Sequence, residues 1–258
     1  MPVEVRQEGE VLIVTIDRPD RRNAVDRVTA SQLSRAFRDF DADPSLSVAV
    51  LTGAGGHFCS GFDLKALAQG TGPKVETGDG PMGPTYLTLS KPVIAAIEGY
   101  CVAGGMELAL WCDLRVAAKN AVLGIFNRRF GVPLVDGGTV RLARIAGQGL
   151  AMDLILTGRS IGAVEAAQHG LINRLVEPGT ALAESIELSK RIAAFGQAGL
   201  RNDRMSLLEQ WGLPLDQALA NELRWGRKTM ESGEALDGAR RFAAGEGRKG
   251  PGTWSTDS

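Results

Sequence analysis

The stretch Ala103-Gly104-Gly105-Met106-Glu107-Leu108-Ala109-Leu110 puts a glycine pair at the start of an apolar helix and a carboxylate in that helix's first turn. The first N–H groups of a helix have no partner inside it, glycine lets a ligand approach them closely, and residues three apart share a face. Gly104 and Glu107 thus offer a hydrogen-bond donor and an ionisable group on one side, which is what a developing oxyanion and the proton moved beside it require. A purely structural helix start, with an acid near the positive end of the dipole, uses the same residues. Among Met106, Leu108 and Leu110 the carboxylate of Glu107 is expected to be partly desolvated, which raises its pKa toward the range of a general acid or base.

A second segment, Gly56-His57-Phe58-Cys59-Ser60-Gly61-Phe62-Asp63-Leu64-Lys65, follows a short apolar strand at Val48 to Leu51 and reads as a tight turn. Together the two stretches resemble the signature of the enoyl-CoA hydratase/isomerase (crotonase) superfamily, and the resemblance runs from about Val11 to Val176. Ile16-Asp17-Arg18-Pro19 with Asn23-Ala24, Lys91-Pro92-Val93 through Gly99, Cys112-Asp113-Leu114-Arg115 and Leu156-Thr157-Gly158-Arg159 extend it. The resemblance implies an α/β fold, a spiral of strand-strand-helix turns capped by a C-terminal helical unit that builds homotrimers or dimers of trimers. It implies an acyl-CoA substrate, with coenzyme A entering as part of that substrate and no permanently bound cofactor. By position in the motifs, the backbone N–H groups of Phe62 and Gly104 form the oxyanion hole. Arg22, Ala24, Ser60, Gly61, Asp63, Leu64 and Lys65 lie against the coenzyme A end, and Phe126 and Phe130 bear on the size of the acyl pocket. Phe62 stands where the family usually has alanine.

Glu107 matches the first of the two glutamates that hydratases use to activate and deliver water. The second falls twenty residues on, and there this chain has Asn127, an amide that can orient water but has no useful pKa. Asp136, before Gly137-Gly138-Thr139, stands close to an aspartate of the dienoyl-CoA isomerase branch, so Glu107 and Asp136 form a candidate pair. Asp before Gly-Gly-Thr is equally a good N-cap. Arg128 and Arg129 depart from the family pattern; they are surface arginines, or one is buried and pairs with Asp136 or with a substrate carboxylate. The expected activity is addition or removal of water at an enoyl-CoA; enoyl- or dienoyl-CoA isomerisation and acyl-CoA binding without turnover remain open.

Weaker constellations exclude themselves. His57 and Cys59 lack a third, orienting group, Ser60 lacks the Gly-x-Ser-x-Gly elbow, and Gly104-Gly105 lacks the Lys-Ser/Thr of a phosphate loop. His169, before Gly170, reads as a helix end.

In this chain of 258 residues, 44% hydrophobic, the formal net charge of −1 argues against nucleic acid, and no long uncharged apolar run suggests a membrane span. Three cysteines without metal-ligand spacing suit a reducing, cytoplasmic setting, and no metal site is expected. Strand patterns at Val11–Ile16, 48–51, 93–97, 115–117 and 173–176 alternate with helical ones at 29–40 and from Gly104, which gives the α/β class. Later stretches at 139–146, 149–157, 163–169, 181–195 and 202–244 read as helices. We expect a core over residues 1–195 and a helical trimerisation region over 196–258 that ends in a flexible Gly-rich tail from Gly245. Gln69 to Thr85, rich in Gly and Pro, cannot hold regular structure and is either a substrate gate or a plain mobile loop.

Overall fold

The computed structural model describes residues 1–76 and 78–245. The expected flexible tail beyond Gly245 lies outside them. The described chain divides into a unit spanning Met1–Lys190 and a second that begins at Arg191.

In the first unit β1 (Val3–Glu8), β2 (Val11–Ile16), α1 (Arg27–Ala42), β3 (Val48–Gly53), the short α2 (Leu64–Ala68), β4 (Val93–Ile97), β5 (Tyr100–Val102) and α3 (Gly104–Trp111) follow in order. After them come β6 (Leu114–Ala118), β7 (Val122–Gly124), α4 (Gly138–Ala146), α5 (Gln148–Thr157), β8 (Ser160–Gly162), α6 (Ala163–Gln168), β9 (Arg174–Val176) and α7 (Ala181–Ala193). Successive turns of chain send one strand to each of two sheets. The larger has the order β1-β2-β3-β4-β6-β9, and the smaller β5-β7-β8. Thus β4 and β5 precede α3, and β6 and β7 precede α4, the strand-strand-helix spiral that the motifs imply. Only β1 runs antiparallel in the large sheet, pairing Val3 with Ile16 and Glu8 with Val11.

Burial accounts for the composition of these elements. β3 and β4 are inner parallel strands and almost wholly buried, so Val48 to Leu51 and Val93 to Ile97 are continuous apolar runs. β1 is an edge strand whose residues are mostly exposed, and its Val-Glu-Val-Arg-Gln-Glu sequence carries no apolar signal. In α1 the side chain of Asp26 accepts the Thr29 N–H at 2.9 Å and caps the helix. Leu33, Phe37 and Phe40, spaced for one face, bury against the sheet side of the core. Residues 104–110 of α3 are all buried, which is why no polar face exists in its sequence apart from Glu107.

The second unit holds α8 (Gln197–Glu209), α9 (Leu215–Glu231) and α10 (Glu234–Ala243), and the carboxylate of Glu234 ties α10 to α8 by accepting the N–H groups of Ala198 and Gly199.

Close approach between the turn after β3 and α3 makes one glycine obligatory. A Cβ on Gly105 would sit 2.1 Å from the Cys59 carbonyl oxygen, a backbone atom that cannot swing away. Gly105→Ala is therefore expected to destabilise the protein by about 2–3 kcal/mol, the upper range for overpacking in a close-packed interior, read as a fall in the denaturation midpoint.

Candidate active site

Two turns meet at the front of α3. Cys59 and Cys101 form an isolated parallel bridge, Val102 N–H donates to Cys59 O at 3.0 Å, and Val25 N–H donates to Gly61 O at 2.8 Å. Gly61 has φ +93°, and a Cβ there would lie 2.8 Å from both Ala103 Cβ and Gly104 N, so a bulkier residue would push the turns apart. Ala103, at the N-cap, takes φ 53° and ψ −127°, a conformation that costs a non-glycine residue about 1–3 kcal/mol and is held by its surroundings. The outcome is that neither the Phe62 N–H nor the Gly104 N–H has an acceptor among the described residues.

Glu107 is 1% exposed. Its Oε1 accepts Asp136 N–H at 2.8 Å and Gly138 N–H at 2.9 Å, while Oε2 has no protein partner among the described residues. Burial, then the like charge of Asp136, pushes its pKa up to about 7, against the pull of those two N–H groups and of Arg141. A Cβ on Gly138 would stand 2.8 Å from Glu107 Oε1, so this glycine makes room for the carboxylate.

Asp136 is completely buried and does not cap α4, correcting the N-cap alternative: the cap position is Gly137, at φ 89°, with no side-chain bond. Its Oδ1 instead accepts Met82 N–H at 2.8 Å and the Thr85 hydroxyl, and Oδ2 is buried without a partner among the described residues. Burial raises its pKa too.

The Gly/Pro-rich segment contains no helix or strand among its described residues, yet its second half is packed as a strap. Asp79 bonds Ser34 and Arg38 of α1, and Met82 is buried against Gly104, where a Cβ would come within 2.8 Å of its sulfur. The strap residues Met82 and Thr85 are site neighbours that the sequence reading missed, since nothing local to a Gly/Pro loop marks one methionine as buried.

Beside the two turns opens a cleft of about 530 Å³. Arg22, Ala24, Ser60, Phe62, Asp63, Leu64 and Lys65 line it, together with Phe126, Asn127 and Phe130, while Gly61, Gly104, Glu107 and Asp136 are not among its lining residues. Asp63 is already committed, capping α2 and bonding Arg18 at 3.0 Å. Asn127 donates to Pro133 O at 3.1 Å, and its Oδ1 is buried and unpartnered. Neither arginine after it reaches Asp136: Arg128 donates to Val132 O, and Arg129 donates to Gly158 O and stacks on Phe126. Arg129 also lines the cleft, as do Arg21 and Tyr100, which were not singled out from the sequence. Cys59 is no nucleophile, because burial pushes its thiol up to about 12. Among the described residues no cluster of metal-ligating side chains occurs, and no helix is long and apolar enough to cross a membrane.

Unbonded backbone donors one helical turn from a buried carboxylate define a class of enzyme that polarises a carbonyl and moves a proton next to it. The chain belongs to the enoyl-CoA hydratase/isomerase family of the crotonase superfamily, whose sequence model matches residues 6–251. It is 38% identical over 246 residues to enoyl-CoA hydratase EchA19 of Mycobacterium tuberculosis, covering 93% of this chain and 92% of that protein. Carnitinyl-CoA dehydratase of Escherichia coli K12 is 34% identical over 251 residues, with 93% and 95% covered. The crystal structure of enoyl-CoA hydratase EchA1 from Mycobacterium marinum superposes with a TM-score of 0.90 at 39% identity, over 95% of this chain and 96% of that one.

The raised pKa of Glu107 has a measurable sign. Its folded value, about 7, lies above the unfolded 4.5, so the folded state holds its proton more tightly and the stabilisation, full below pH 4.5, is lost as pH rises toward 7. Relative to Glu107→Gln, the wild-type protein is expected to lose on the order of 3 kcal/mol of stability across that window, measured by urea denaturation at a series of pH values. Parallel curves for the two proteins would mean that Glu107 titrates normally.

Proposed function

We propose that the protein is an acyl-CoA lyase of the enoyl-CoA hydratase type. The observation that carries this reading is the pair of acceptor-free N–H groups on Phe62 and Gly104, brought together by Gly61. A thioester carbonyl oxygen bound between them gains negative charge when water adds at the β-carbon or leaves it, and fixed donors lower that barrier without reorganising. Loss of one such donor typically costs about a hundredfold to a thousandfold in rate.

Glu107 is the proton-transfer group, with a pKa near neutrality, and Asp136 is the second carboxylate, taking the part of the glutamate that Asn127 replaces. Asn127 contributes an amide oxygen that can hold water or a substrate group. The coenzyme A moiety lies in the cleft, where Arg21, Arg22 and Lys65 offer charge to its phosphates and Ala24, Ser60 and Leu64 offer contact surface. Phe126 and Phe130 border the same cleft, and the substrate brings coenzyme A with it, so no other cofactor is required. Because Met82 fills the space over Gly104, the strap moves to admit the acyl group and so gates the site. The names of the relatives, hydratase and dehydratase, support water as the group added or removed. The buried Glu107 and Asp136 pair, without a second glutamate, favours one other reading, an enoyl- or dienoyl-CoA isomerase that only relocates protons.

Assembly follows the same reading. Leu215, Leu219 and Leu223 are exposed at four-residue spacing along α9, an apolar stripe suited to contact between subunits in a homotrimer or a dimer of trimers. Three free, buried cysteines suit the cytoplasm.

Mass spectrometry of an enoyl-CoA panel incubated with the protein in deuterated water tests the reaction. A product heavier by one water is expected, abolished by Glu107→Gln with acyl-CoA affinity retained. Deuterium uptake without water would establish the isomerase, and binding with no change in any substrate would end both enzymatic readings. Sedimentation is expected to give a trimer or hexamer, and Leu219→Asp to shift it toward monomer.

A further inference from the structure

Arg141, in the first turns of α4, folds back over the turn that precedes its own helix. Its Nη1 donates to Asp136 O at 2.8 Å and its Nη2 to Thr85 O at 2.6 Å. Gly137 is the residue that permits this, because a Cβ there would stand 2.2 Å from Nη1. One guanidinium thus bonds both the carbonyl of Asp136, the residue whose own N–H holds Glu107 Oε1, and the strap residue whose hydroxyl holds Asp136 Oδ1. The charged and titratable groups that face it are Glu107 from α3, Cys112 just after that helix, Asp136 from the turn, and Tyr86 just after the strap. Its charge draws the pKa values of both carboxylates down, against their burial. The bond to Thr85 could not be foreseen from the sequence, since it spans 56 residues.

We propose that Arg141 is a positioning residue for the proton-transfer pair: it holds residue 136, by that residue's carbonyl, in place under Glu107, it clamps the Met82 strap to that residue through Thr85, and it supplies the one cation that the two buried carboxylates share among the described residues. The inference rests on the reading of Glu107 as the proton-transfer group. Arg141 does not line the cleft; it sets where Glu107 stands and at what pH it ionises. Two buried carboxylates without a counter-charge would stay protonated well above neutrality, and the pair would lose its base.

Arg141→Gln and Arg141→Lys separate charge from shape. Glu107 is followed by its carboxyl carbon resonance in protein labelled with [13C]glutamate, assigned as the signal missing from Glu107→Gln, so the titration is read whether or not any substrate turns over. Arg141→Gln is expected to move the Glu107 titration, and the pH profile of kcat/KM, to higher pH. It should also lower kcat/KM at neutral pH by about a hundredfold, the scale of a small misplacement of a catalytic group. Arg141→Lys keeps the charge and loses the two-pronged clamp. Its Glu107 titration should stay at the wild-type position, while amide hydrogen exchange across Met82–Thr85 speeds up. An unchanged Glu107 titration in the Gln variant, or an equal shift in both variants, overturns the proposal. If the Gln variant does not fold, a shifted titration in the Lys variant overturns it alone. Should Glu107→Gln leave turnover intact, the proposed reaction fails, and the resonance titration still decides what Arg141 does to Glu107.

Discussion

A carboxylate cannot be buried alone, and the way Glu107 is satisfied organises this protein. Its Oε1 takes two backbone N–H groups from residues 136 and 138, so α3 and the turn before α4 must approach to hydrogen-bond distance. That approach requires glycine at 138, where a Cβ would collide with the carboxylate. It also draws Asp136 into the interior, and a second buried acid needs its own donors, which come from Met82 and Thr85 of the strap. The strap is therefore packed because Asp136 is buried, and Asp136 is buried because Glu107 needs its peptide. Each step is a satisfied polar group, worth about 1 kcal/mol net when made but about 1–3 kcal/mol if left unpaired in the interior.

The oxyanion side obeys a different constraint, that of backbone conformation. Ala103 holds φ 53° between a strand and a helix, and Gly61 holds φ +93° against it. The two turns interlock through the bridge between Cys59 and Cys101, so the strain at Ala103 is carried by sheet pairing on both sides. The donors of Phe62 and Gly104 stay fixed because the peptides bearing them have nowhere to relax.

Much of this was legible from residue types. The glycine pair 104–105 at a helix start, the apolar inner strands and the buried face of α1 follow from short-range rules, and the structure keeps each, while the place of Gly61 came from the family motif. What escaped is what depends on long separations. Asp136 satisfies the local rule for an N-cap, yet its partners lie 51 and 54 residues earlier in the chain, and tertiary donors outcompete the helix start. β1 escaped because an edge strand buries one residue in six and shows no apolar alternation. The short β5, β7 and β8 escaped because three residues each give too little pattern for a period. The sequence shows an amide at Asn127, but its committed Nδ2 and free Oδ1 depend on Pro133, which only the folded turn brings near.

The two acids are not equivalent, and their hydrogen bonds explain how. Asp136 Oδ1 receives an N–H and a hydroxyl on one oxygen and stands beside Arg141, all of which favour its charged form. Burial raises both acids, and Glu107 alone also carries the repulsion of the other carboxylate, so a single proton shared by the pair resides mainly on Glu107 near neutral pH. Because Oε1 already accepts two N–H groups, the proton belongs on Oε2, the oxygen with no protein partner among the described residues. In the proposed reaction Glu107 then meets its substrate as an acid with its proton on the open oxygen, and giving that proton up leaves two adjacent negative charges. The repulsion between them returns Glu107 to the protonated state, so the pair resets itself through the same interaction that raises its pKa.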